Sequence, residues 1–242
     1  MPVIDLHVHT SRGSRDSSLD PVELILEARR VGLDGVVITE HDKTWSRWEI
    51  QALREEYGFL VLRGMEVTTD LGHVLAIGLD QYVSGIHRAE YLRRVVDEVG
   101  GVLIAPHPFR HLVNLRPGLN RNRPVTLEEA LNLPIFDLVH EVEALNGATA
   151  DEENALALRV ARTRGLKGTG GSDAHSHHGL GCCATYFERP IRDEEDLIRE
   201  IKAGRFRAIY GQRRPGQDGR HWTDPVDEVL DDLLAMYGYR GI

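Results

Sequence analysis

The sequence is short of cysteine and of long apolar runs, and each shortage excludes a class of protein. Only two of the 242 residues are cysteines, Cys182 and Cys183. Adjacent cysteines supply no disulfide framework, which favours a reducing compartment such as the cytoplasm. No apolar stretch approaches the ~20 residues of a membrane-spanning helix, and the N-terminus lacks the pattern of a signal peptide. We therefore expect a cytoplasmic protein with no membrane association.

Positive charge and aromatic side chains are also scarce. Lys and Arg number 29 against 38 Asp and Glu, which gives a formal net charge of −9, and 6% of the residues are aromatic. A surface of this kind disfavours the binding of long nucleic acid. The sequence also has no Gly-x-Gly-x-x-Gly after its first strand and no Walker-type loop, so the nucleotide-binding α/β folds have no support.

Short apolar runs alternate with longer amphipathic segments along most of the chain. The predicted strands cover 2–9, 35–41, 59–68, 73–79, 101–107, 136–146 and 206–211, and a short strand running into a loop covers 167–175. The predicted helices cover 20–32, 47–58, 89–100, 126–133, 151–165, 193–204 and 226–238. This alternation indicates an α/β fold with a mostly parallel sheet, and about seven such units fit a barrel better than a doubly wound sheet. We predict a single barrel domain over 1–212, with 213–242 forming a linker (213–225) and a C-terminal helix packed on the barrel.

Histidine is abundant, with 12 residues, and its placement is informative. In an α/β barrel the functional groups lie at the C-terminal ends of the strands. His7 and His9 stand two apart at the end of the first strand, so their side chains share a face and can reach one ion. Acids, amides and imidazoles also mark the later strand ends: Glu40, His41, Asp42, Glu66, His73, His107, Glu143, Asn146, Asp173 and His175. Gathering such groups at one rim is costly without metal ions, so the pattern predicts a metal centre.

Five short motifs occur in order at these strand ends. They are DLHVHT (5–10), TEHD (39–42), GMEVT (64–68), APHP (105–108) and GSDAH (171–175). In this combination the chain resembles the polymerase and histidinol phosphatase (PHP) superfamily from about residue 3 to 211. The resemblance implies a distorted, TIM-like (β/α)7 barrel that hydrolyses phosphate esters at a centre of two or three divalent metal ions.

The resemblance also implies nine metal ligands, arranged around three ions. The expected first site comprises His7, His9, Glu66 and Asp173, the second shares Glu66 and adds His73 and His107, and the third comprises Asp16, His41 and His175. Six imidazoles and three carboxylates suit Mn, Zn or Fe better than Ca or Mg. The family often has Thr-Asp-His where this chain has Thr39-Glu40-His41, a difference that bears on the orientation of His41. Glu143 matches a recurring acidic position without an assigned role.

These residues lead to an expected reaction. Three divalent ions would outweigh three carboxylates, so the filled centre would be locally cationic and would attract an anionic ester. We expect a metal-bridged hydroxide to attack the phosphorus of a small phosphorylated molecule or nucleotide. Arg110 is the expected phosphate contact, and His175 or His178 the expected proton donor to the leaving group. The sequence does not specify which ester is cleaved or the oligomeric state.

Two alternative functions stay open. A metal-dependent amidohydrolase also uses a related barrel with His-x-His on its first strand, but it usually has a bridging lysine. Here Glu66 takes the bridging position, and no lysine stands at a middle strand end. A non-catalytic domain of the same fold is the other alternative, and the complete set of ligand positions argues against it.

Overall fold

The computed structural model describes residues 1–113, 124–213 and 218–239. Ten strands in this part of the chain form one sheet. The strands are β1 (Val3–Val8), β2 (Gly35–His41), β3 (Leu60–Thr69), β4 (Gly72–Ile77), β5 (Val102–Ala105), β6 (Glu141–Asn146), β7 (Thr169–Gly171), β8 (Cys183–Phe187), β9 (Phe206–Arg213) and β10 (Arg220–Thr223). The helices are α1 (Pro21–Val31), α2 (Arg47–Tyr57), α3 (Ala89–Glu98), α4 (Leu127–Leu131), α5 (Asp151–Thr163), α6 (Glu194–Lys202) and α7 (Asp227–Met236).

The sheet curls so that its seventh strand returns to its first. The strand order is β10-β9-β8-β1-β2-β3-β4-β5-β6-β7. Just beyond β7, the Asp173 amide donates to the His7 carbonyl at 2.7 Å, and the His9 amide donates to the Ala174 carbonyl at 3.0 Å. These two hydrogen bonds bring the ends of β1 and β7 side by side, which places the GSDAH motif against the first pair of histidines.

The strand–helix alternation is less regular than the sequence predicted. Strands β1–β2–β3 and β5–β6–β7 pair in parallel, but β4 runs antiparallel to both β3 and β5. The two-residue connection from β3 to β4 is too short for a crossover helix, so these strands form a hairpin. Strands β8, β9 and β10 continue the sheet in antiparallel fashion on the other side of β1. The α/β class and the curled sheet are thus confirmed, whereas a regular (β/α)7 repeat is not.

The first two helices begin and end as their sequences predict. The Asp20 side chain accepts the Val22 amide at 2.8 Å at the start of α1, and Gly32, with φ of 87°, ends it. Ser46 and Glu49 form a reciprocal capping box at the start of α2. Because these caps fix where each helix begins, they also fix the loops that precede them at the rim of the sheet.

The strand predicted over 136–146 begins only at Glu141. Residues Pro134–Asp137 form a 3₁₀ turn instead. Ile135 and Phe136 are apolar and buried, which made the segment resemble a strand, but proline fixes φ and favours the start of a helical turn.

The longest helix described has 13 residues, and within the described ranges no helix meets the length and hydropathy of a bilayer span.

The segment predicted as a linker over 213–225 contains a strand. Residues Arg220–Thr223 pair antiparallel with β9 as the edge strand β10. The Arg220 guanidinium anchors this strand by donating to the carbonyls of Leu180 at 2.7 Å and Gly211 at 2.8 Å. The pairing uses main-chain groups and one arginine, so the sequence carries no alternating apolar pattern there. Residues 214–217 and 240–242 of the predicted C-terminal region lie outside the described residues.

The C-terminal helix α7 packs against the body of the protein. Leu230 and Leu234 are buried in the same apolar cluster as Leu156 and Val160 of α5. The helix predicted over 226–238 is therefore present, and its apolar side contacts α5. The division of the chain at residue 212 stays a prediction.

Candidate metal centre

The nine residues predicted as metal ligands converge at one rim of the sheet. The structure brings every one of them within 3.6 Å of a polar side-chain atom of another member: His7, His9, Asp16, His41, Glu66, His73, His107, Asp173 and His175. Most follow the C-terminal ends of parallel strands, but His73 lies near the start of β4. Because β4 runs antiparallel to its neighbours, its first residues reach the same rim.

Four donor atoms at the centre of this rim form a compact group. Nε2 of His7 lies 3.1 Å from Nε2 of His9, 3.4 Å from Oε2 of Glu66 and 3.5 Å from Oδ1 of Asp173. Nε2 of His9 lies 3.2 Å from the same Glu66 oxygen and 3.4 Å from the same Asp173 oxygen. A tetrahedral ion with bonds of ~2.0–2.1 Å requires ligand atoms about 3.3 Å apart, so this group fits a divalent metal ion.

The two carboxylate oxygens of Glu66 face different sets of imidazoles. Oε1 lies 2.8 Å from Nδ1 of His73 and 3.0 Å from Nε2 of His107. Oε2 faces the pair of β1 histidines and also lies 3.1 Å from Nδ1 of His41. The side chain is buried, with 1% exposure, so these contacts rather than water neutralise it. A carboxylate with this arrangement can bridge two ions.

A third group of donors lies on the solvent side. Oδ2 of Asp16 lies 3.1 Å from Nε2 of His41 and 3.4 Å from Nε2 of His175. The rings of His41 and His175 stack on His9, with centroids 4.4 and 4.3 Å apart. Asp16 is 57% exposed, so this group is the most open to solvent of the three.

Several imidazoles are held from behind through their second ring nitrogen. Nδ1 of His7 lies 3.1 Å from Oε1 of Glu143, and Nδ1 of His9 lies 3.1 Å from Oγ of Ser14. Nδ1 of His175 lies 2.9 Å from the carbonyl of Asp173. In each case Nε2 is the atom that points to the cluster. Partners of this kind fix the orientation and tautomer of metal-binding histidines.

Opposite charges at the rim dominate its titration. Burial lowers the pKa of His7, but the charges of Asp173, Glu143 and Glu66 outweigh burial and raise it well above its usual value. Burial raises the pKa of Glu66, yet the surrounding imidazoles, His7 foremost, hold it well below its usual value. The hydrogen bond to Glu66 raises the pKa of His41 to about 9. The rim therefore keeps its carboxylates ionised and surrounds them with positive charge. Bound metal ions would supply the same positive charge.

Two cluster residues have an unusual backbone conformation. His107 and Asp173 have φ of 32° and 53°, in the left-handed region that side chains other than glycine rarely adopt. Backbone strain of this kind persists where the surrounding structure holds it, and it concentrates at functional sites. Here it turns both side chains back toward the β1 histidines.

Arg110 lies beside the cluster, and His178 does not. The Arg110 guanidinium forms an ion pair with Asp173 and donates to Oδ1 of Asn146 at 3.0 Å. Its Nε is buried without a hydrogen-bond partner in the described structure. His178 is exposed, and its ring packs on that of His177 with centroids 3.9 Å apart. Of the two predicted proton donors, only His175 contacts the predicted ligands among the described residues.

A cavity of about 300 Å³ adjoins the cluster on the side of Arg110. His73, His107 and Arg110 line its polar side, and its remaining wall is mainly apolar, formed by Leu71, Pro106, Pro108, Leu133, Pro134 and Ile135 with Gly72, Ala105 and His111. The cavity therefore opens directly onto two imidazoles that contact Glu66 and onto a guanidinium that contacts Asp173.

Glu40 was expected to bear on the orientation of His41, and its side chain has other partners in the structure. The buried Glu40 carboxylate accepts hydrogen bonds from Thr10, Ser14 and Trp45. Ser14 went unnoticed because a single serine in a polar loop carries no pattern. The contact of Glu143 with His7 is equally invisible in the sequence, since 136 residues separate the two.

One family model and two curated proteins are similar to parts of the chain. The model described as PHP-associated matches residues 151–206. An uncharacterized protein from Methanocaldococcus jannaschii is 29% identical over 115 residues, which covers 43% of this chain and 67% of that protein. An error-prone DNA polymerase from Cutibacterium acnes is 26% identical over 157 residues, 61% of this chain but 12% of the polymerase. The chain thus corresponds to a small part of that polymerase.

Solved structures share the fold over most of the chain. A candidate metal-dependent phosphoesterase from Bifidobacterium adolescentis has a TM-score of 0.60 and 20% identity, covering 83% of this chain and 96% of that one. A two-domain protein from Bacteroides vulgatus, with a predicted PHP-like metal-dependent phosphoesterase, has a TM-score of 0.59 and 22% identity, covering 86% of this chain and 64% of that one. The chain is therefore similar to a PHP-associated family over residues 151–206 and shares its fold with PHP-like metal-dependent phosphoesterases over most of its length.

The same fold also occurs in proteins described by other activities. An amidohydrolase from Chromobacterium violaceum has a TM-score of 0.57 and 19% identity, covering 84% of this chain and 96% of that one. A lesion-specific endonuclease from Pyrococcus furiosus has a TM-score of 0.50 and 17% identity, covering 86% of this chain and 57% of that one. Similarity at this level concerns the fold, so the chemistry of this chain has to be argued from its own site.

Proposed function

We propose that this protein is a metal-dependent phosphoesterase. The observation that carries the proposal is Glu66, whose two oxygens face separate imidazole groups at distances that fit metal coordination. His7, His9, Glu66 and Asp173 would hold one ion, and His73 and His107 would hold a second with Glu66. Asp16, His41 and His175 would hold a third.

The donor set suits Mn, Zn or Fe, which would supply Lewis acidity and lower the pKa of a water molecule. The protein itself contributes orientation and charge. Arg110, next to Asp173, is placed to hold phosphate oxygens, since a guanidinium is a planar donor that matches phosphate geometry.

His175 is the better placed of the two for delivering a proton to the leaving group, a role that requires its Nε2 to carry a proton and therefore applies to a centre in which the third ion is not bound. Its ring is 31% exposed, and it contacts Asp16 and the carbonyl of Asp173. His178 is exposed and lies apart from these contacts, so we assign it no direct role in the proton transfer. Replacing His178 with Ala should then leave turnover nearly unchanged, whereas His175→Ala should lower both metal content and turnover.

The adjoining cavity favours a compact substrate. A volume of about 300 Å³ suits a small alcohol moiety rather than a polymer, and its apolar wall suits an uncharged one. The overall net charge of −9 also disfavours extended nucleic acid. Because the fold is shared with a lesion-specific endonuclease, a short DNA substrate belongs among the tests.

Both cysteines are free thiols, which supports a reducing, cytoplasmic setting.

The experiment is a comparison of ester and amide hydrolysis by one metal-loaded preparation. Purified protein is stripped of metal, reloaded separately with Mn, Zn and Fe, and assayed with p-nitrophenyl phosphate and a panel of small phosphate esters. An amide and lactone panel and an abasic duplex are assayed alongside. Metal-dependent turnover of small phosphate esters supports the proposal. Turnover of amides or lactones alone supports the amidohydrolase alternative, and no turnover of any substrate supports the non-catalytic one.

A further inference from the structure

A chain of hydrogen bonds runs from Glu40 through Ser14 to His9. The Ser14 hydroxyl lies 2.6 Å from Oε2 of Glu40 and 3.1 Å from Nδ1 of His9, and it also receives the His41 amide at 3.3 Å. Glu40, Ser14 and His9 are all buried, with exposures of 0–2%. No contact with solvent therefore competes with these bonds.

The direction of each bond follows from its donors and acceptors. Glu40 accepts from the Thr10 amide at 3.1 Å and from the Trp45 indole at 2.9 Å, and these two groups can only donate. The Thr10 hydroxyl also donates to the carboxylate. A carboxylate surrounded in this way accepts the hydroxyl proton of Ser14.

Ser14 then has no proton left for His9. A hydroxyl has one proton and two lone pairs, and here the proton goes to Glu40 while one lone pair accepts the His41 amide. The other lone pair can only accept, so Nδ1 of His9 must carry a proton. In the neutral ring this leaves the Nε2 lone pair directed at Glu66 and Asp173, 3.2 and 3.4 Å away.

The other two imidazoles that are held through Nδ1 have a fixed tautomer without such a chain of hydrogen bonds. Nδ1 of His7 faces a carboxylate, and Nδ1 of His175 faces a main-chain carbonyl, both of which are acceptors by nature. A serine can donate or accept, so it leaves the tautomer open unless something fixes its proton. We infer that Glu40 is a positioning residue that sets the tautomer of His9 through Ser14 and so prepares its Nε2 to bind a metal ion.

The local sequence is adapted to this role. A Cβ at Gly13 would lie 2.3 Å from Cδ of Glu40, so only glycine leaves room for the longer carboxylate. Aspartate at position 40 would be one methylene shorter and could not keep all of these partners at their present distances. The role in metal binding rests on the proposed function, whereas the tautomer of His9 follows from the hydrogen bonds alone.

The test is the protonation of His9 in the metal-free protein, read by ¹⁵N NMR of labelled histidine and assigned with His9→Gln. The wild type should carry the proton on Nδ1. Ser14→Ala and Glu40→Gln should shift His9 toward the Nε2-protonated tautomer and weaken Mn or Zn binding, measured by calorimetry, about 10–100-fold. Trp45→Phe removes a different donor to Glu40 and is the matched control, which should keep the wild-type tautomer. Circular dichroism and the melting temperature report whether each variant is folded.

Two outcomes would overturn the inference: a neutral wild-type His9 that carries its single proton on Nε2, or a folded S14A protein with unchanged tautomer and metal affinity. The failure of the proposed function looks different. A wild-type protein that binds metal and has the expected tautomer but cleaves no phosphate ester would remove the phosphoesterase assignment and leave the positioning role of Glu40 in place.

Discussion

Glu143 lies directly behind His7, with its Oε1 atom 3.1 Å from Nδ1 of the imidazole ring. Its other oxygen accepts the His107 amide at 3.1 Å and the Asn146 side chain at 2.8 Å. One buried carboxylate thus joins β6 to the imidazole of His7 and to the main chain of His107. This contact gives Glu143 the role that the sequence left unassigned, which is to orient His7 toward the other donors.

Replacing Glu143 with Gln should therefore weaken metal binding. The glutamine side chain has one acceptor oxygen and one NH₂ donor in place of two acceptor oxygens. The NH₂ group therefore faces either Nδ1 of His7 or the donors of His107 and Asn146, and the ring of His7 is no longer held in one orientation. We expect metal affinity to fall 10–100-fold, a range typical of such partners, with a parallel loss of turnover. Calorimetric titration with Mn checks this result. Glu141→Gln, two residues earlier on β6, is the control, and equal affinities in wild type and E143Q would contradict the account.

Gly171→Ala should disturb the same contact from the opposite side. A Cβ at this position would lie 2.5 Å from both Cβ of His7 and Oε1 of Glu143. Such an overlap displaces one of the two side chains and costs ~1–3 kcal/mol in stability. Metal content should fall more than the melting temperature alone explains. Gly179→Ala has open space around it and serves as the control; if both variants hold wild-type metal, the close packing at Gly171 has no functional effect.

A buried arginine should be important for stability rather than for activity. Arg63 is 1% exposed, and its guanidinium pairs with Glu194 at 2.9 Å and with Asp80 while donating to the Trp45 carbonyl at 3.2 Å. Arg63→Met leaves the half-buried Glu194 and the Trp45 carbonyl without their donor and should lower the free energy of unfolding by ~1–3 kcal/mol. Urea denaturation measures the change. Arg47→Gln removes an exposed partner of Asp80 and should have little effect; a comparable loss in both variants would argue against a stabilising role of the buried guanidinium.

His140 should make the protein less stable at mildly acidic pH. Burial, aided by Arg93 and Lys202, lowers the pKa of His140 to about 4, and its Nδ1 accepts the Leu103 amide at 3.0 Å. The unfolded state then binds the proton more readily, so this stability is present above about pH 6.5 and is lost as the pH falls toward 4.

The measurement is urea unfolding of the wild type and His140→Gln at pH 7.5 and 5. The wild type should lose ~1–2 kcal/mol more than the variant between these two values. Glutamine can still accept the Leu103 amide through its side-chain oxygen, so the variant keeps that hydrogen bond without the titration. Identical losses in the two proteins would mean that His140 does not carry the pH dependence.

Much of the candidate site could be predicted because it depends on local patterns. His7 and His9 share a strand face by simple alternation, and a strand end marks Glu66 and Asp173 as rim residues. The contacts that orient these groups could not be predicted in this way. Glu143 reaches His7 only because the sheet curls until β7 lies beside β1. The spacing of residues along the chain does not indicate which distant strands become neighbours.

The fold was predictable to a similar degree. Caps and periodicity gave the positions of α1 and α2 to within a residue or two. The reversal of β4 follows from a two-residue turn, and the edge strand β10 follows from main-chain pairing and the anchoring of Arg220. The sequence also indicated an ion pair at Arg63, because an arginine within an apolar strand requires an acidic residue to pair with it.

Glu66 is proposed to be a ligand of two metal ions, and the metal content of Glu66→Gln tests this role. Wild type and variant are loaded with Mn, freed of unbound metal by gel filtration and measured by elemental analysis, with circular dichroism as a check of folding. We expect two or three equivalents in the wild type, and in the folded variant less than half of that content with no turnover. A variant that keeps the wild-type metal content, or a wild type that binds less than one equivalent, would contradict it.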